Sequence, residues 1–574
     1  MAEHDLIVRG GTVVDGTGAA ARTADVAITD GIVTEVGAVD GSATREIDAD
    51  GALVAPGFVD IHTHYDGQAT WDTRMQPSSW HGVTTVVFGN CGVGFAPVHN
   101  ADHNKLVELM EGVEDIPGAA LHEGLSWEWN SFGDYLDACE APKDMDIATQ
   151  VPHGALRLHV MGERGANRED ATPADIAEMG RLAAEGIAAG ALGFSTSRTS
   201  NHKTSTGDFT PTLTAAAEEL IGIAEAVGVG GRGVFQLVSD FVDRDREFQM
   251  FRDMCSISGL PLSFTIVESP KSDTFHQDLL SRIEQARADG LRITGQCPVR
   301  PIGVLLGFEC TLNPFMRNPV WREVADLAPK DRVIALNEPD RRARLLEGTN
   351  SAEGSLIGGN IIEGFHSMFE MGETPYYEPA ADQTVANRAA AAGVSPAEYA
   401  LDLLLKFDGT NMLWFPFTNY GHGNLDGTRE LLTHEFTVPA LSDGGAHVGT
   451  ICDGSFPTTL LQHWGRERPE GRIDLEFLIQ RQARDTARTV GLFDRGVLAP
   501  GYRADLNVID FENLQARGPE LAYDLPAGGR RVLQRADGYL HTVVAGQETY
   551  ASGEETGALP GRLVRGGQAA PEGN

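Results

Sequence analysis

Residues 52–67 read A-L-V-A-P-G-F-V-D-I-H-T-H-Y-D-G, an apolar run that ends in two histidines and a polar turn. The apolar run predicts a buried strand over Phe58–His64. Because side chains alternate along a strand, His62 and His64 are expected on one side of it, where both imidazoles could bind one metal ion. The H-x-H spacing is weak support by itself, since such pairs also arise by chance, so the argument depends on the surrounding sequence.

Short apolar runs of this kind recur through the middle of the chain, separated by helical stretches rich in Ala, Glu and Leu. Helices are predicted at Pro173–Ala189, with Thr172 as the N-cap, and at Thr214–Val227. Eight strand–helix alternations predict an α/β fold, a (β/α)₈ TIM barrel with its functional residues at the carboxyl ends of the strands. The predicted barrel strands are Phe58–His64, Val83–Gly89, Leu156–Val160, Leu192–Ser195, Gly233–Val238, Leu262–Ile266, Leu291–Gln296 and Thr437–Ser442.

Both ends of the chain consist of short alternating strands separated by glycine turns. Residues 1–55 and 496–565 are predicted to form one small β-sandwich, because neither end can bury a core alone. The barrel is then expected over 56–495. About 140 residues separate its last two predicted strands, more than one crossover helix needs, which predicts a lid-like insertion at about 300–432. The Gly-, Pro- and Ala-rich residues 566–574 are predicted to form a flexible tail.

The composition limits the partners of the protein. The chain has 574 residues, with 45 Lys and Arg against 82 Asp and Glu, a net charge of −37. This argues against nucleic acid or an anionic membrane as a partner, since both bind basic surfaces. Neither a signal sequence nor an apolar run of membrane-spanning length is recognisable, so a cytoplasmic location is expected.

One of the six cysteines stands close to the predicted barrel chemistry. Cys91, in the stretch Gly89–Gly94, follows the second predicted strand, where the histidines of the first strand could reach its thiol. Three roles stay open for it: a zinc-bound thiolate, a nucleophile and a buried structural cysteine. No C-x-x-C pair occurs, so a disulfide framework and a structural zinc knot are not expected.

A carboxylate follows the last predicted strand, in L-S-D-G-G-A-H (Leu441–His447). Asp443 at this position could bind a metal ion and accept a proton from an activated water, although an Asp-Gly turn explains the same letters. His447 is a candidate electrophile or partner of the metal ligands, and equally a loop histidine. The absence of a G-x-S-x-G elbow, a Walker A loop and a dinucleotide fingerprint argues against serine hydrolases, NTPases and dehydrogenases.

Taken together, these stretches resemble the amidohydrolase superfamily, and within it the D-aminoacylase (N-acyl-D-amino-acid deacylase) family. The resemblance implies a metal-dependent (β/α)₈ barrel with a β-sandwich built from both chain ends. It further implies that His62 and His64 are metal ligands, Cys91 is the cysteine ligand, and Asp443 is both ligand and general base. The matching stretches are A-P-G-F-V-D-I-H-T-H-Y-D, G-V-T-T-V-V-F-G-N-C-G-V-G-F-A-P, V-P-H-G-A-L-R-L-H-V-M-G, G-A-L-G-F-S-T-S, L-S-D-G-G-A-H and R-G-V-L-A-P-G-Y-R-A-D-L.

The fifth and sixth strands depart from this family, which normally carries a metal-binding histidine at the end of each. Here the two regions are Gly233–Asp240 and Leu262–Ser269, and neither contains a histidine. The loss of two neutral nitrogen ligands should remove one site of a two-metal centre. We therefore expect a single ion, with zinc as the expected metal. The residues that offer a replacement ligand, with none favoured by the sequence, are Gln236, Asp240, Glu268 and Cys297.

A second departure follows Asp443. The arginine with which this family grips the substrate carboxylate has no counterpart in His447–Pro457. Because a buried carboxylate without a cationic partner is costly, free N-acyl-D-amino acids are not the expected substrates. The predicted reaction is hydrolysis of a C–N amide or cyclic amide bond, and lactones stay open. The aromatic-rich insertion suits an apolar acyl group, and equally a helical subdomain with its own core.

Two other functions stay open. A chain that has lost metal ligands could persist as a non-catalytic scaffold, although the retained His62, His64 and Asp443 argue against this. A metal-free hydrolase that uses Cys91 as its nucleophile is the third alternative. The expected partner is a small-molecule substrate, and assembly into a homo-oligomer stays open.

Overall fold

The computed structural model describes residues 2–269, 272, 274–350 and 361–572. Its central element is a sheet of eight strands. Every neighbouring pair is parallel, and strands that follow one another along the barrel segment of the chain are neighbours in the sheet. In chain order, barrel strands 1 to 8 are Phe58–Asp60, Val83–Phe88, Asp146–Pro152, Gly193–Arg198, Val234–Ser239, Leu262–Thr265, Ile293–Cys297 and Thr437–Pro439. This is the predicted (β/α)₈ TIM barrel.

The barrel closes where the chain leaves strands 1 and 8. The amide of Asp443 donates to the carbonyl of His62 at 3.1 Å, and the amide of His64 donates to the carbonyl of Gly444 at 2.8 Å. These bonds join the two ends of the sheet at its carboxyl edge. They also set the histidine pair beside the carboxylate.

Helices cover the outside of the barrel. The helix Pro173–Ala189 has the predicted bounds, and Thr172 forms its capping box with Asp175. The predicted helix at Thr214–Val227 begins later, at Ala217. The other helices of at least six residues that pack around the barrel are His103–Glu114, Gly118–Gly124, Phe132–Ala138, His153–Met161, Arg244–Ser258, Phe275–Ala288, Asp426–Thr433, Leu460–Glu467 and Leu475–Gln480.

The prediction for the third strand was wrong. Residues 156–160 belong to the helix His153–Met161, and the strand is Asp146–Pro152 instead. The apolar residues Leu156, Leu158 and Val160 alternate as in a strand, but a short helix buried on nearly all sides shows the same alternation. The real strand carries Asp, Thr and Gln among its seven residues, and all seven are buried.

Both chain ends contribute strands to one nine-stranded sheet, so the two ends associate as predicted, and their packing as a two-layered β-sandwich stays a prediction. The junction is the antiparallel pair formed by Leu53–Pro56 and Leu506–Ile509. The domain boundaries at residues 55 and 496 stay predictions. The remaining strands of this sheet are His4–Val13, Arg22–Thr29, Ile32–Gly37, Ala43–Asp48, Tyr539–Val544, Gln547–Ala551 and Glu554–Glu555. Two small hairpin-like pairs add Gln515–Ala516 with Ala536–Asp537 and Glu520–Leu525 with Gly529–Leu533.

The insertion between strands 7 and 8 has a core of its own, which contains Phe308, Phe315 and Trp321. These aromatic side chains are buried within the insertion, so they do not form an open wall above the barrel. Residues 351–360 of the predicted insertion lie outside the described residues. Its strands are Gly303–Leu306, Phe369–Glu370 and Leu413–Pro416, and its helices are Pro319–Arg322, Pro329–Leu336, Pro339–Glu347, Val385–Ala392, Pro396–Leu404 and Lys406–Gly409.

The start of the predicted tail is tied to the barrel. The amide of Gly566 donates to the carbonyl of Gly190 at 2.7 Å, and the amide of Gln568 donates to the carbonyl of Gly491 at 2.9 Å. Flexibility of the residues beyond them stays a prediction. Within the described residues, no helix combines the length and the apolar character needed to cross a membrane.

A buried charge cluster ties the chain ends to the start of strand 3. Asp146 is fully buried and lies 2.8 Å from both Arg495 Nη1 and Arg503 Nη2. The substitution Asp146→Asn removes the buried carboxylate that both guanidinium groups share. Arg495 keeps Asp494 and Arg503 keeps Asp505 as a partner. We expect the substitution to lower the free energy of unfolding by about 3–5 kcal/mol, measured by chemical denaturation. The matched Asp537→Asn change breaks an exposed pair with Arg517 and should cost less than about 1 kcal/mol. Equal effects of the two changes would contradict this role of Asp146.

Candidate metal centre

Three predicted ligands converge at the carboxyl end of the barrel. The possible ligand atoms of His62, His64 and Cys91 all lie within 4.8 Å of one another. His62 Nε2 is 3.2 Å from Cys91 Sγ. All three side chains are buried. The structure therefore brings together the histidine pair that follows strand 1 and the cysteine that follows strand 2.

Asp443 completes this cluster from the segment after strand 8. Its Oδ1 atom lies 3.6 Å from Nε2 of His62 and 3.6 Å from Nε2 of His64. Asp443 and Cys91 both have positive φ angles, 47° and 55°, in the left-handed region that non-glycine residues seldom occupy. Such strain persists only where the surrounding structure enforces it. For Asp443 the barrel-closing hydrogen bonds supply that constraint.

The spacing of these atoms fits a small divalent ion. Zinc binds nitrogen, oxygen and sulfur at 2.0–2.3 Å, so neighbouring ligand atoms in a tetrahedral site lie about 3.3–3.7 Å apart. Three of the distances in the cluster are 3.2–3.6 Å: His62 Nε2 to Cys91 Sγ, and Asp443 Oδ1 to Nε2 of each histidine. Two imidazoles, a thiol and a carboxylate are also a donor set that suits zinc. The residues present fit the ion that the sequence predicted.

Burial determines the protonation of two of the donors, the imidazole of His62 and the thiol of Cys91. Burial lowers the pKa of His62 to about 4, so its imidazole is neutral, the form that binds metal ions. Burial raises the pKa of the Cys91 thiol to about 12, against the opposing effect of His64. Without a bound cation this thiol is protonated at neutral pH. That disfavours Cys91 as a metal-free nucleophile, which would have to act as the thiolate.

Two buried carboxylates surround the second histidine. Burial disfavours the charged imidazole of His64, but Glu114 and Asp443 more than offset this and raise its pKa well above the ordinary value. Burial likewise favours protonated Asp443, yet the hydrogen bond to His64 and the charge of His62 hold its pKa below the usual range. Asp443 is therefore an ionised carboxylate at neutral pH.

Glu114 is a site residue that the sequence reasoning missed. It ends the helix His103–Glu114, is buried, and its Oε1 lies 3.2 Å from His64 Nδ1. Its Oε2 lies 3.5 Å from Nε2 of His447, which is 4.0 Å from Asp443 Oδ2. His447 therefore lies beside the cluster, and its role there stays a prediction. Nothing in the helix sequence marks Glu114, because its position depends on how this helix packs against the barrel.

The regions where histidines were expected, Gly233–Asp240 and Leu262–Ser269, place Gln236 on strand 5 beside Ser263 on strand 6 as partners in the parallel ladder. Gln236 Oε1 accepts a hydrogen bond from the amide of Cys91 at 2.9 Å, so it supports the cysteine loop. The other replacement candidates make contacts elsewhere. Asp240 binds Thr199 and Ser200, Glu268 lies 3.5 Å from His422, and the thiol of Cys297 donates to the carbonyl of Val438.

Comparison with known proteins decides the family. A family model described as the amidohydrolase family matches residues 45–550. The chain belongs to the amidohydrolase family. It is 34% identical over 229 residues to a D-aminoacylase of Alcaligenes xylosoxydans xylosoxydans, a match that spans 40% of this amidohydrolase and 43% of that relative. The stretch that matches this relative is thus under half of the relative's length.

Matches over the whole length also exist for this amidohydrolase. It is 26% identical to the N-acyl-D-aspartate deacylase of the same organism over 575 residues, 99% of this chain and 97% of the relative. A solved structure of D-aminoacylase aligns with a TM-score of 0.64 and 25% identity, covering 98% of this chain and 100% of the other. An N-acyl-D-glutamate deacylase of Bordetella bronchiseptica, solved with zinc and a phosphonate inhibitor, aligns with a TM-score of 0.62 at 22% identity, which shows a shared fold.

A second residue that sequence reasoning missed in this amidohydrolase is His202, in the loop after strand 4. Its Nδ1 lies 2.9 Å from Ser197 Oγ. Burial, followed by the charges of His447 and His64, lowers its pKa to about 3. These interactions place a neutral imidazole near the centre. The surrounding residues T-S-N-H-K form no pattern that would identify this histidine, because neither the length of the loop nor the end of a strand marks its position.

The amidohydrolase has no arginine in His447–Pro457, and the guanidinium that packs against this segment is already paired. Arg300 is buried, and its Nη1 lies 2.7 Å from Asp453 Oδ1. Its Nη2 donates to the carbonyl of Cys452 at 3.2 Å. Its charge is compensated within the protein. Arg300 therefore does not replace the family's carboxylate-binding arginine.

The ligand geometry makes zinc binding testable without a substrate. His64→Asn and Cys91→Ala each remove one donor from the cluster, and we expect each to weaken zinc affinity by at least about 100-fold, since even loss of an outer hydrogen bond costs 10–100-fold. Competition with a chromogenic chelator measures the affinity. His122→Asn changes an exposed histidine and serves as the matched control. Unchanged zinc affinity in both ligand variants would rule out this centre.

Proposed function

We propose that this protein is a metal-dependent hydrolase that cleaves non-peptide amide bonds, similar to the N-acyl-amino-acid deacylases. The observation that carries the proposal is the convergence of His62, His64 and Cys91 within 4.8 Å of one another at the carboxyl end of an amidohydrolase barrel, with Asp443 Oδ1 3.6 Å from both histidines. The same convergence favours an enzyme over a scaffold that has lost its metal.

His62, His64 and Cys91 hold the ion, and Asp443 is shared between ligation and proton transfer. When bound, a divalent ion supplies a Lewis acid that polarises the scissile carbonyl and makes water more acidic. Asp443 has its Oδ1 toward the two histidines and its Oδ2 toward His447. Oδ2 is therefore the atom that accepts a proton from the attacking water. The same oxygen then returns the proton to the leaving nitrogen.

His447 acts beside this carboxylate. Its Nε2 lies between Asp443 Oδ2 at 4.0 Å and Glu114 Oε2 at 3.5 Å, and about a quarter of its side chain is exposed. It is thus the partly accessible imidazole at the cluster, and we assign it the role of an electrophile toward the substrate carbonyl. Glu114, which faces both His64 and His447, orients the two rings.

We propose one zinc ion rather than two. Neither Gly233–Asp240 nor Leu262–Ser269 contains the histidine expected for a second ion, and the Gln236 amide and Ser263 hydroxyl on strands 5 and 6 are weak zinc ligands. The oxygen of Gln236 is also already engaged by the amide of Cys91. A metal-to-protein ratio near two would overturn this part of the proposal.

For the substrate, we propose a neutral N-acyl compound or cyclic amide rather than a free N-acyl amino acid. The segment His447–Pro457 offers no arginine, and Arg300 is neutralised by Asp453. The insertion between strands 7 and 8 meets the loop after Asp443, where the amide of Leu305 donates to the carbonyl of Thr450 at 2.7 Å. This contact supports a role of the insertion as a lid over the substrate.

We further propose a cytoplasmic location and a small-molecule partner. All six cysteines are buried free thiols, which suits a reducing compartment. The net charge of −37 disfavours nucleic acid and anionic membranes as partners. Self-association remains open.

Removal of the proposed proton acceptor gives a direct test. Asp443→Asn should lower kcat on an N-acyl amide substrate by about 100-fold to 10,000-fold, because the amide cannot accept the proton from water. Steady-state kinetics at saturating zinc separate this loss from weaker metal binding. Asp340→Asn, an exposed change in the insertion, is the control. A rate close to that of the unaltered enzyme would place the base elsewhere.

Chelation separates the three candidate functions. Turnover that falls on zinc removal and returns on zinc addition supports the metal-dependent hydrolase. Turnover that resists chelation but disappears in Cys91→Ala supports the cysteine hydrolase. Absence of both bound metal and turnover supports the scaffold.

Substrate charge provides a further prediction. An N-acetyl-D-amino acid and its neutral primary amide carry the same scissile bond, and we expect kcat/KM to be at least as high for the neutral compound. The reason is that a free carboxylate would be desolvated beside Glu114 and Asp443 without a cationic partner. A tenfold or greater preference for the free acid would contradict this substrate assignment.

A further inference from the structure

A chain of hydrogen bonds lies behind His62, on the side away from the other ligands. His62 Nδ1 is 2.7 Å from Gln296 Oε1. Gln296 Nε2 donates to Ser263 Oγ at 2.9 Å, and Ser263 Oγ donates to the carbonyl of Phe235 at 3.3 Å. The chain thus crosses strands 7, 6 and 5. All of its side chains are buried.

The number of available hydrogens determines which group donates and which accepts at each step of this chain of hydrogen bonds. The Ser263 hydroxyl has a single hydrogen, and when that hydrogen goes to the Phe235 carbonyl, the oxygen can only accept from Gln296. The carbonyl oxygen of Gln296 then faces His62. Because a carbonyl only accepts, His62 must carry its hydrogen on Nδ1. The lone pair on Nε2 is left to face Cys91 and Asp443.

The reverse arrangement fails at the metal centre. A rotated Gln296 amide would donate to His62 Nδ1, and the hydrogen of His62 would move to Nε2. A hydrogen there would point toward the thiol of Cys91 at 3.2 Å and block ligation by this nitrogen. It would also deprive the Phe235 carbonyl of its contact with Ser263. Only the first direction leaves His62 ready to bind an ion.

We propose that Gln296 is a positioning residue that, together with Ser263, fixes His62 as its Nδ1-protonated form and so selects Nε2 as the metal ligand. The inference rests on the proposed function only in assigning His62 as a ligand. It gives a role to a strand 7 glutamine and to a strand 6 serine in the region Leu262–Ser269, where a metal-binding histidine was expected. Neither residue touches the substrate.

The neutral character of this partner suits its surroundings. A carboxylate is a frequent partner of metal-bound histidines, where it raises the basicity of the ligand. Here Asp60, Asp66 and Glu114 are already buried around the two histidines, and Asp443, with 13% of its side chain exposed, adjoins both. A further negative charge would repel them in a site of low dielectric constant. An amide orients the ring without adding charge.

The first test reads the tautomer directly, in metal-free protein and without any substrate. Protein labelled with ¹⁵N-histidine is compared with its His62→Asn variant, which identifies the His62 signals. We expect the unaltered protein to show hydrogen on Nδ1 of His62. The Gln296→Leu variant should lose this preference. Hydrogen on Nε2 in the unaltered protein would overturn the proposal.

The second test measures zinc affinity by chelator competition. Gln296→Leu should weaken zinc binding by about 10–100-fold, as for other second partners of metal-bound histidines. Gln296→Glu keeps an acceptor for Nδ1, so it should keep the hydrogen of His62 on Nδ1 despite its added charge, which loss of packing alone would not allow. Unchanged affinity in Gln296→Leu overturns the proposal, and so does loss of the Nδ1 hydrogen in Gln296→Glu.

Two further variants serve as a control and as a substitute for Gln296→Leu. Gln236→Leu alters the neighbouring support of the Cys91 amide, so it should leave the His62 tautomer unchanged. If Gln296→Leu does not fold, Ser263→Ala removes the group that orients the amide and should mix the two tautomers of His62. An ordered tautomer and tight zinc binding in a protein that hydrolyses no amide would reject the proposed function while leaving this inference intact.

Discussion

The centre depends on the closure of the barrel between strands 1 and 8. Two backbone hydrogen bonds, from Asp443 to His62 and from His64 to Gly444, join the first and last strands at their carboxyl ends. Without them the carboxylate and the histidine pair would belong to opposite edges of an open sheet. The strained φ angle of Asp443 is sustained by the same bonds. Fold and chemistry are therefore coupled through the backbone as well as through side chains.

The hydrophobic pattern of the sequence was sufficient to predict the barrel and the candidate ligands at the ends of its strands. His62 and His64 lie at the end of a predicted strand, Cys91 and Asp443 each follow one, and parallel strands bring such residues to one edge of the sheet. The third strand was misplaced because a buried helix at residues 153–161 shows the same apolar alternation. A local run of residues identifies a helix or a strand only where its hydrophobic periodicity and its length indicate the same element.

Residues that reach the centre from helices and long loops were not predictable in this way. Glu114 arrives from the end of a surrounding helix, and His202 from a loop anchored by Asp240. Their positions depend on packing between elements far apart in the chain, which no local pattern encodes. The same holds for the hydrogen-bond chain behind His62, whose members come from three strands. Sequence reasoning could note the missing histidines, but not what fills their places.

The insertion between strands 7 and 8 has a consequence for how such a protein can diversify. Its two ends lie side by side, since the amide of Phe417 donates to the carbonyl of Ile302 at 3.0 Å and Gly303 pairs with Pro416. Its two attachment points are therefore only about 5 Å apart, the spacing of adjacent strands. Because the segment also has a core of its own, it could be exchanged for another sequence as a unit. Such an exchange would change the shape of the cleft and leave the buried metal ligands in place.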